Sequence, residues 1–281
     1  MSTQPKVGQL ITSRNHPALR RLRALHARAE RDRSGLFLIE GIRLLAQAVQ
    51  HRARFDTLLV APTLLHHTFA KKLVRQIQRT GIPFHEITPE VLHSVAQADN
   101  PQGVVAVVRQ DWAVLDQADP QTGLCWLAVT QVQSGGNLGT LIRTCEAVGA
   151  AGVILLSGSP DPFDPACVRA SMGSLFALQY VRASVNEFVR WKERGNGVLV
   201  GTSPAAELDY QDTTYRRPTI LFMGWERQGL SVEEQGLCDL MVRIPMAGRC
   251  DSLNLAVASS VMLYELFNQQ RRAPSIEAGS L

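Results

Sequence analysis

The chain has 281 residues, of which 45% are hydrophobic and 19% charged, and its formal net charge is +4. This length allows one large or two ordinary globular domains. No apolar run is long enough to span a membrane, and the first ten residues lack the hydrophobic stretch of a secretory signal. We therefore expect a cytoplasmic protein without a membrane partner. The five cysteines include no C-x-x-C pair, which indicates separate buried thiols rather than disulfides or a metal site.

An arginine-rich segment opens the chain. Seven arginines lie between positions 14 and 33, against two acidic residues. Because a guanidinium can bond two phosphate oxygens at once, this segment predicts contact with nucleic acid, and the alternative is a solvated helix face. The candidate RNA-binding residues are Arg14, Arg20, Arg21 and Arg23.

The segment up to position 110 has the pattern of a small α/β domain. Apolar periodicity and turn residues predict its elements. The predicted helices cover 16–33, 41–50 and 64–80, with a short one after Pro89; the predicted strands cover 35–40, 55–61, 82–87 and 103–109. We expect residues 1–110 to form one domain and the polar, turn-rich residues 111–123 to form a linker.

The remainder alternates strand and helix. The predicted strands cover 124–130, 152–157, 178–183, 197–202, 219–224 and 240–245; the predicted helices cover 138–148, 165–176, 185–194, 231–237 and 252–270. This alternation predicts a mostly parallel sheet with helices on both faces. We expect a second domain over 124–272 and a loose tail over 273–281.

Ligands of open α/β sheets bind beyond the carboxyl ends of the strands, and three loops there are unusual. Residues 131–139 are glycine-rich but lack the G-x-G-x-x-G spacing of a Rossmann enzyme, and Arg143 follows them. Residues 224–231 place Glu226 between glycines. Residues 244–254 lead into the last helix, with Asp251 or Ser252 available as N-cap and Asn254 in the first turn. Taken singly, these loops are equally compatible with a tight turn, a helix-entry glutamate and ordinary capping.

Together the three loops carry a family resemblance. NLGTLIRTCEAVGA, FMGWERQGLS and IPMAGRCDSLNLAVASSVMLYE resemble the three signature motifs of the SpoU (TrmH-like) RNA 2′-O-ribose methyltransferases, and the likeness extends over roughly 124–270. RSGLFLIEGIRLLAQAV resembles the substrate-binding domain of the family's two-domain members, which has a small ribosomal-protein-like fold.

The resemblance implies a fold, a reaction and partners. It implies a trefoil-knotted, mostly parallel α/β domain beside a smaller N-terminal RNA-binding α/β domain, acting as a homodimer through the C-terminal domain. The implied reaction transfers a methyl group from S-adenosylmethionine to a ribose 2′-hydroxyl and needs no metal. The basic N-terminal domain favours large-subunit (23S) ribosomal RNA as the substrate. The alternatives are a transfer RNA 2′-O-methyltransferase and a non-catalytic RNA-binding protein on the same fold.

The resemblance also assigns site residues. The implied catalytic residues are Asn137, Arg143, Glu226, Ser252 and Asn254. For the cofactor we select positions at strand ends and neighbouring apolar side chains: Thr202, Gly224, Ile244, Met246 and Leu253.

This sequence departs from the family pattern at two places. The family often has an Asp at the end of the first strand and Asp-Pro before the Asn, where this chain has Thr130 and Ser134-Gly135. These departures leave the loop geometry and the choice of substrate open.

Overall fold

The structure, a computed structural model, describes residues 10–156 and 160–272. The chain folds into two compact units. One comprises Met1–Asp111 with Asp161–Ala177, and the other Trp112–Pro160 with Leu178–Leu281. The sequence-based boundaries placed residues 161–177 in the C-terminal domain, whereas in the structure they pack with the first unit. The predicted tail over 273–281 lies outside the described residues.

The first unit contains a four-stranded sheet and six α-helices among its described residues. Its strands are β1 (Leu36–Glu40), β2 (Phe55–Val60), β3 (Phe84–Glu86) and β4 (Val104–Arg109). Its helices are α1 (Pro17–Ala24), α2 (Arg28–Ser34), α3 (Ile42–Gln50), α4 (Thr68–Gln78), α5 (Pro89–His93) and α7 (Pro165–Ala170), with 3₁₀ turns at Pro62–Leu64 and Ser174–Phe176. The strand order is β1-β4-β2-β3, with β4 antiparallel to β1 and β2, and β2 parallel to β3.

Helices cover both faces of this sheet. Leu19 of α1 and Leu92 of α5 share a core cluster with Leu59 of β2. Successive strand residues point to opposite faces, so Val60 faces away from that cluster, and it lines a cavity together with Val74 of α4. Helices α1 and α4 therefore lie on opposite faces of the sheet.

A buried ion pair holds residues 161–177 in the first unit. The Arg31 guanidinium lies 2.7 Å from an Asp161 carboxylate oxygen and 3.2 Å from one of Asp164, and Arg31 and Asp161 are each 2% exposed. The Phe37 and Phe163 rings pack against each other at an interplanar angle of 43°, with centroids 4.7 Å apart. This inward-facing arginine does not fit the expectation that the whole cluster over 14–33 contacts nucleic acid.

Two predicted helices are interrupted for identifiable reasons. The helix expected over 16–33 is two helices, because Arg31 Nη1 donates to the Leu25 and His26 carbonyls at 2.9 and 2.8 Å and so satisfies the end of α1. The helix expected over 165–176 ends at Ala170, because Met172 and Gly173 have φ of 55° and 101°, which a right-handed helix cannot accommodate.

The second unit contains a seven-stranded sheet. Its strands are β5 (Trp126–Val129), β6 (Gly152–Leu156), β7 (Gln179–Ala183), β8 (Val198–Thr202), β9 (Leu208–Asp209), β10 (Thr219–Met223) and β11 (Leu240–Arg243). Its helices are α6 (Gly135–Ala147), α8 (Val185–Arg194), α9 (Val232–Gly236) and α10 (Leu255–Arg272), with a 3₁₀ turn at Leu115–Gln117. The strand order is β7-β6-β5-β10-β8-β11-β9, and every pairing is parallel.

The parallel sheet has the character predicted from the sequence. Near-continuous apolar strands are typical of sheets covered on both faces, and Trp126, Phe222 and Val181 are completely or almost completely buried in one core with Phe188 and Trp191 of α8. The predicted α/β class is confirmed, and the trefoil knot stays a prediction. None of the helices among residues 10–156 and 160–272 is long and apolar enough to span a bilayer.

Candidate active site

A cavity of about 290 Å³ lies beyond the carboxyl ends of β8, β10 and β11. All five residues predicted for the cofactor line it: Thr202, Gly224, Ile244, Met246 and Leu253. Its volume is close to the lower end of small-molecule pockets, about 300–1,000 Å³. The strand-end rule therefore located a concave site with both backbone and apolar walls.

A tight turn forms one wall of this cavity. Trp225 N donates to Gly229 O at 3.0 Å, and Gly229 N donates to Trp225 O at 2.7 Å. A Cβ at Gly224 would lie 2.2–2.4 Å from the backbone of Gly229 and Leu230, so only glycine fits at that position. The turn places Glu226 on the cavity wall.

Asn137 and Glu226 meet at this wall. Asn137 Nδ2 donates to Glu226 Oε1 at 2.7 Å. Asn137 sits in the first turn of α6, and Ser134 caps that helix by accepting from Asn137 N at 3.1 Å. Ser134 thus supplies the N-cap where the family has Asp, since both residue types are good caps. The other departure, Thr130, is buried, and its N–H donates to Met223 O at 3.1 Å.

Two further implied catalytic residues, Ser252 and Asn254, lie in the segment before the last helix. Ser252 lines the cavity. Asn254 precedes α10 rather than lying in its first turn, and Asn254 Oδ1 accepts from Ala256 N at 2.9 Å and from Val257 N at 3.4 Å. Asn254, rather than Asp251 or Ser252, therefore caps the last helix.

Arg143 is exposed on α6 and does not line the cavity. Within the described part of the chain its guanidinium makes no hydrogen bond or ion pair. The helix that carries it is joined to α10 by a hydrogen bond between Thr144 Oγ1 and Ser260 Oγ, 3.0 Å apart. The structure therefore places Glu226 and Ser252 on the cavity wall and Asn137 in contact with Glu226, whereas Arg143 lies elsewhere on α6.

A second contact joins the first and second loops and involves residues that were not among the predicted site residues. With its amide oxygen oriented toward them, Gln133 accepts from Trp225 Nε1 at 3.3 Å and from Arg227 Nε at 3.0 Å. Trp225 and Arg227 also line the cavity. Both residues are direct neighbours of Glu226 in the second motif, and this adjacency was the feature of the sequence that could have indicated them.

Two thiols of this unit, Cys145 and Cys238, stay protonated near neutral pH. Burial, and then the neighbouring Asp239 and Glu234, raise the pKa of Cys238 to about 12. Burial also raises the pKa of Cys145 on α6 well above its ordinary value. A thiol reacts as the thiolate, so neither Cys145 nor Cys238 is suited to act as a nucleophile.

The four predicted RNA-binding arginines differ in how many contacts their guanidinium groups make within the protein. Arg23 is held by hydrogen bonds to Ser94 and to the Arg14 carbonyl, and Arg21 lies 3.8 Å from Asp56. Arg14 and Arg20 are exposed, and neither forms an ion pair with another described residue.

Comparisons with known proteins match both parts of the chain to known families. The SpoU rRNA Methylase family matches residues 125–264, and the MRM3-like substrate binding domain matches residues 16–106. The chain is 36% identical over 267 residues, 92% of each protein, to a 23S rRNA (uridine(2479)-2′-O)-methyltransferase of Streptomyces viridochromogenes.

Solved structures of rRNA methyltransferases resemble this chain over most of its length. The AdoMet-bound rRNA methyltransferase of Sinorhizobium meliloti superposes with a TM-score of 0.85 at 35% identity, covering 92% of this chain and 97% of that one. The SpoU methyltransferase AviRb of Streptomyces viridochromogenes, in complex with AdoMet, gives 0.82 at 33%, covering 92% and 99%.

The parallel α/β sheet, the cavity at its strand ends and these matches together identify an RNA methyltransferase with a separate substrate-binding domain. The chain belongs to the SpoU rRNA methylase family. The predictions of family, enzyme class and S-adenosylmethionine as cofactor are confirmed.

Proposed function

We propose that this protein transfers a methyl group from S-adenosylmethionine to a ribose 2′-hydroxyl of large-subunit ribosomal RNA in the cytoplasm. One observation carries the proposal: Asn137 and Glu226, from two motifs, are hydrogen-bonded beside a cavity whose wall includes all five residues selected for the cofactor. The substrate follows from relatives named for 23S rRNA in Streptomyces viridochromogenes and Bacillus subtilis.

The cavity suits the proposed methyl donor. Gly224, directly after β10, lines the cavity with backbone atoms alone, while Met246 and Leu253 supply apolar walls, a combination that can hold a planar base and read its edge. When bound, the cofactor supplies an electrophilic methyl group whose leaving group is a neutral thioether, and the ribose hydroxyl gives up its proton to water as the new carbon–oxygen bond forms. The protein's own task is therefore alignment and stabilisation of negative charge on the ribose oxygen.

Four side chains near the cavity have different roles in this alignment. Glu226 fixes the Asn137 amide by accepting its Nδ2 hydrogen, which leaves the amide oxygen in a defined orientation and available to accept a hydrogen bond. Ser252 adds a hydroxyl on the cavity wall. Asn254 Oδ1 is committed to capping α10, which leaves its Nδ2 as a donor. These groups orient the ribose.

Arg143 has a separate role in the proposal. A guanidinium stays protonated in proteins, so it is a poor base. An exposed arginine on α6 that pairs with no acidic residue among 10–156 and 160–272 is instead suited to bind the phosphate next to the target ribose and to stabilise the forming alkoxide. Arg14, Arg20, Arg21 and Arg23 extend the phosphate contacts on the N-terminal unit, with Arg14 and Arg20 the freest.

We also propose a homodimer formed through α10. Leu253, Val257 and Tyr264 are 36%, 50% and 47% exposed, and their spacing places them on one side of the last helix and its entry. A row of large apolar side chains in contact with water marks an interaction surface.

The proposed reaction is tested with purified protein, labelled S-adenosylmethionine and 23S ribosomal RNA. We expect Arg143→Ala to reduce kcat by about 100-fold or more while calorimetric affinity for S-adenosylmethionine is retained. Arg190→Ala, at an exposed arginine of the same unit, is the matched control and should stay active. Equal activity of wild type and Arg143→Ala would remove Arg143 from the mechanism, and absence of cofactor binding would favour a non-catalytic RNA-binding protein.

The target is found by mapping 2′-O-methylated nucleotides in RNA from cells with and without the gene. A methyl group lost from 23S rRNA supports the proposal. Loss from transfer RNA alone would overturn the proposed substrate while leaving the reaction intact.

A further inference from the structure

Helix α4 carries a cationic surface that the sequence analysis did not assign. Residues 61–85 contain no aspartate or glutamate, and this stretch includes Lys71, Lys72, Arg75 and Arg79. All four side chains are exposed. None of them forms an ion pair with any residue among 10–156 and 160–272. Within the described part of the chain, no salt bridge therefore neutralises their charge.

The arginines of α1 and α2 contrast with this surface. Arg31 is buried against Asp161, Arg33 pairs with Glu30, and Arg28 lies 3.4 Å from Asp32. Several arginines of the segment 14–33 are thus paired with acidic residues of the protein itself. Because α4 lies on the opposite face of the sheet from α1, its cations form a separate surface.

The packing of α4 fixes the direction of these cations. Ala70, Leu73, Val74 and Ile77 are buried against the sheet, so the residues between them face solvent. Lys71 and Arg75 are one turn apart, about 6 Å along the helix axis. Phe69, which is 56% exposed, adds an aromatic ring at the start of the same helix.

A cavity of about 230 Å³ adjoins Lys71 and Arg75. Val60, Leu65, Val74 and Phe84 form its apolar part, and Gln78 and Glu86 contribute hydrogen-bonding groups. The volume is below the range of pockets for drug-sized ligands, about 300–1,000 Å³, so a single ring system is the appropriate occupant. Unpaired RNA bases are recognised by stacking and by hydrogen bonds to their edges.

We infer that the α4 face is a binding site for a single-stranded segment of the substrate RNA. Lys71, Lys72, Arg75 and Arg79 hold its phosphates, and the cavity beside Phe84 takes one unstacked base. Glu86, the acidic group lining the cavity, accepts hydrogen bonds from an exocyclic amine or ring N–H and repels phosphate, which separates the base site from the backbone site. This inference rests on the proposed function, since it takes RNA as the substrate.

The test measures binding of a 12-nucleotide oligouridylate and of a 12-base-pair RNA duplex to the full chain at several salt concentrations. The variant is Lys71→Gln/Arg75→Gln. The charge-matched control is Arg190→Gln/Arg216→Gln, which removes two exposed arginines of the other unit. Calorimetric affinity for S-adenosylmethionine, expected to be unchanged in both variants, separates failure of this inference from failure of the proposed function.

We expect the α4 variant to bind the oligouridylate about tenfold or more weakly. The slope of log affinity against log salt should become less steep by about 1.4, because each of the two lost phosphate contacts on a single strand contributes about 0.7. The control should keep the wild-type slope. A wild-type slope in the α4 variant, or an equal decrease in both variants, overturns the site. Equal losses for single strand and duplex overturn the assignment of the cavity to an unstacked base.

Discussion

Asn137 Nδ2 and Glu226 Oε1 are 2.7 Å apart although 89 residues separate them in the chain. This hydrogen bond joins the glycine-rich loop after β5 to the tight turn after β10, two loops that each have an ordinary structural explanation when considered alone. Because the acceptor is a carboxylate, the bond belongs to the stronger, charge-assisted class. Its position on the cavity wall makes it the first part of the site to test.

Substitutions of Asn137 and Glu226 test the hydrogen bond between them. Asn137→Ala should lower kcat/KM by about ten- to 100-fold, since a hydrogen bond to a charged group contributes about 1.5–3 kcal/mol. Asn137→Asp should be more damaging than Asn137→Ala, because it opposes two carboxylates.

The double variant Asn137→Asp/Glu226→Gln recreates a donor and an acceptor with their positions reversed. We expect it to recover part of the activity that Asn137→Asp loses, as measured by labelled methyl transfer. Strictly additive losses in this double-mutant cycle would show that the two side chains act independently.

The exposed row on α10 predicts a change of assembly state. Val257→Glu places a charge in the proposed apolar interface, where its desolvation is unfavourable. Light scattering after gel filtration should show the mass of one chain instead of two. Val232→Glu alters an even more exposed valine of the same unit, 82% against 50%, and should leave the mass unchanged. A monomeric wild type would disprove the proposed dimer.

The buried pair of Arg31 and Asp161 predicts a large difference between two neighbouring arginines. Arg31→Met leaves Asp161 without its guanidinium in a site that is 2% exposed, and breaking a buried pair costs about 3–5 kcal/mol. Arg33→Met removes a 74% exposed partner of Glu30, a type of pair that contributes about 0–1 kcal/mol. Urea unfolding followed by tryptophan fluorescence and circular dichroism compares the two. Similar losses for both variants would contradict the structural role of Arg31.

The sequence predicted what depends on local pattern. Apolar strands and helix periodicity gave the α/β class, and the strand-end rule placed Thr202 and Gly224 at a cavity. The role of Arg31 depends on Asp161, which is 130 positions away, so no local pattern distinguishes it from the exposed Arg20. The cap at Asn254 was misplaced because Asp251, Ser252 and Asn254 are all good N-caps, and packing of α10 selected among them.

The membership of residues 161–177 was also beyond local pattern. A helix after a strand is expected to cover the sheet that the strand belongs to. Here Asp161 and Phe163 find their partners in Arg31 and Phe37 of the first unit. Such a choice is made by side-chain complementarity between distant segments, and a single sequence does not display it.

Cysteine reactivity offers a direct measure of the loop after β11. Cys250 is the exposed thiol of the five, while Cys125, Cys145 and Cys167 are buried and Cys238 is half-buried. Burial raises the pKa of Cys125 and of Cys238 to about 12, so at pH 9 only about one part in a thousand of each is thiolate. Native protein should therefore react with one equivalent of a thiol reagent from pH 7 to 9, and with five after unfolding.

The same thiol reports on the cofactor cavity. Cys250 lies between Met246 and Ser252, both of which line the cavity, so a ligand that orders this loop should slow labelling of Cys250 several-fold. Saturating S-adenosylmethionine is the ligand to add, and Cys250→Ser, which should abolish the fast reaction, verifies which thiol is observed. Labelling that is equally fast with and without the cofactor, in protein shown by calorimetry to bind it, would mean that residues 246–252 do not close over the bound molecule.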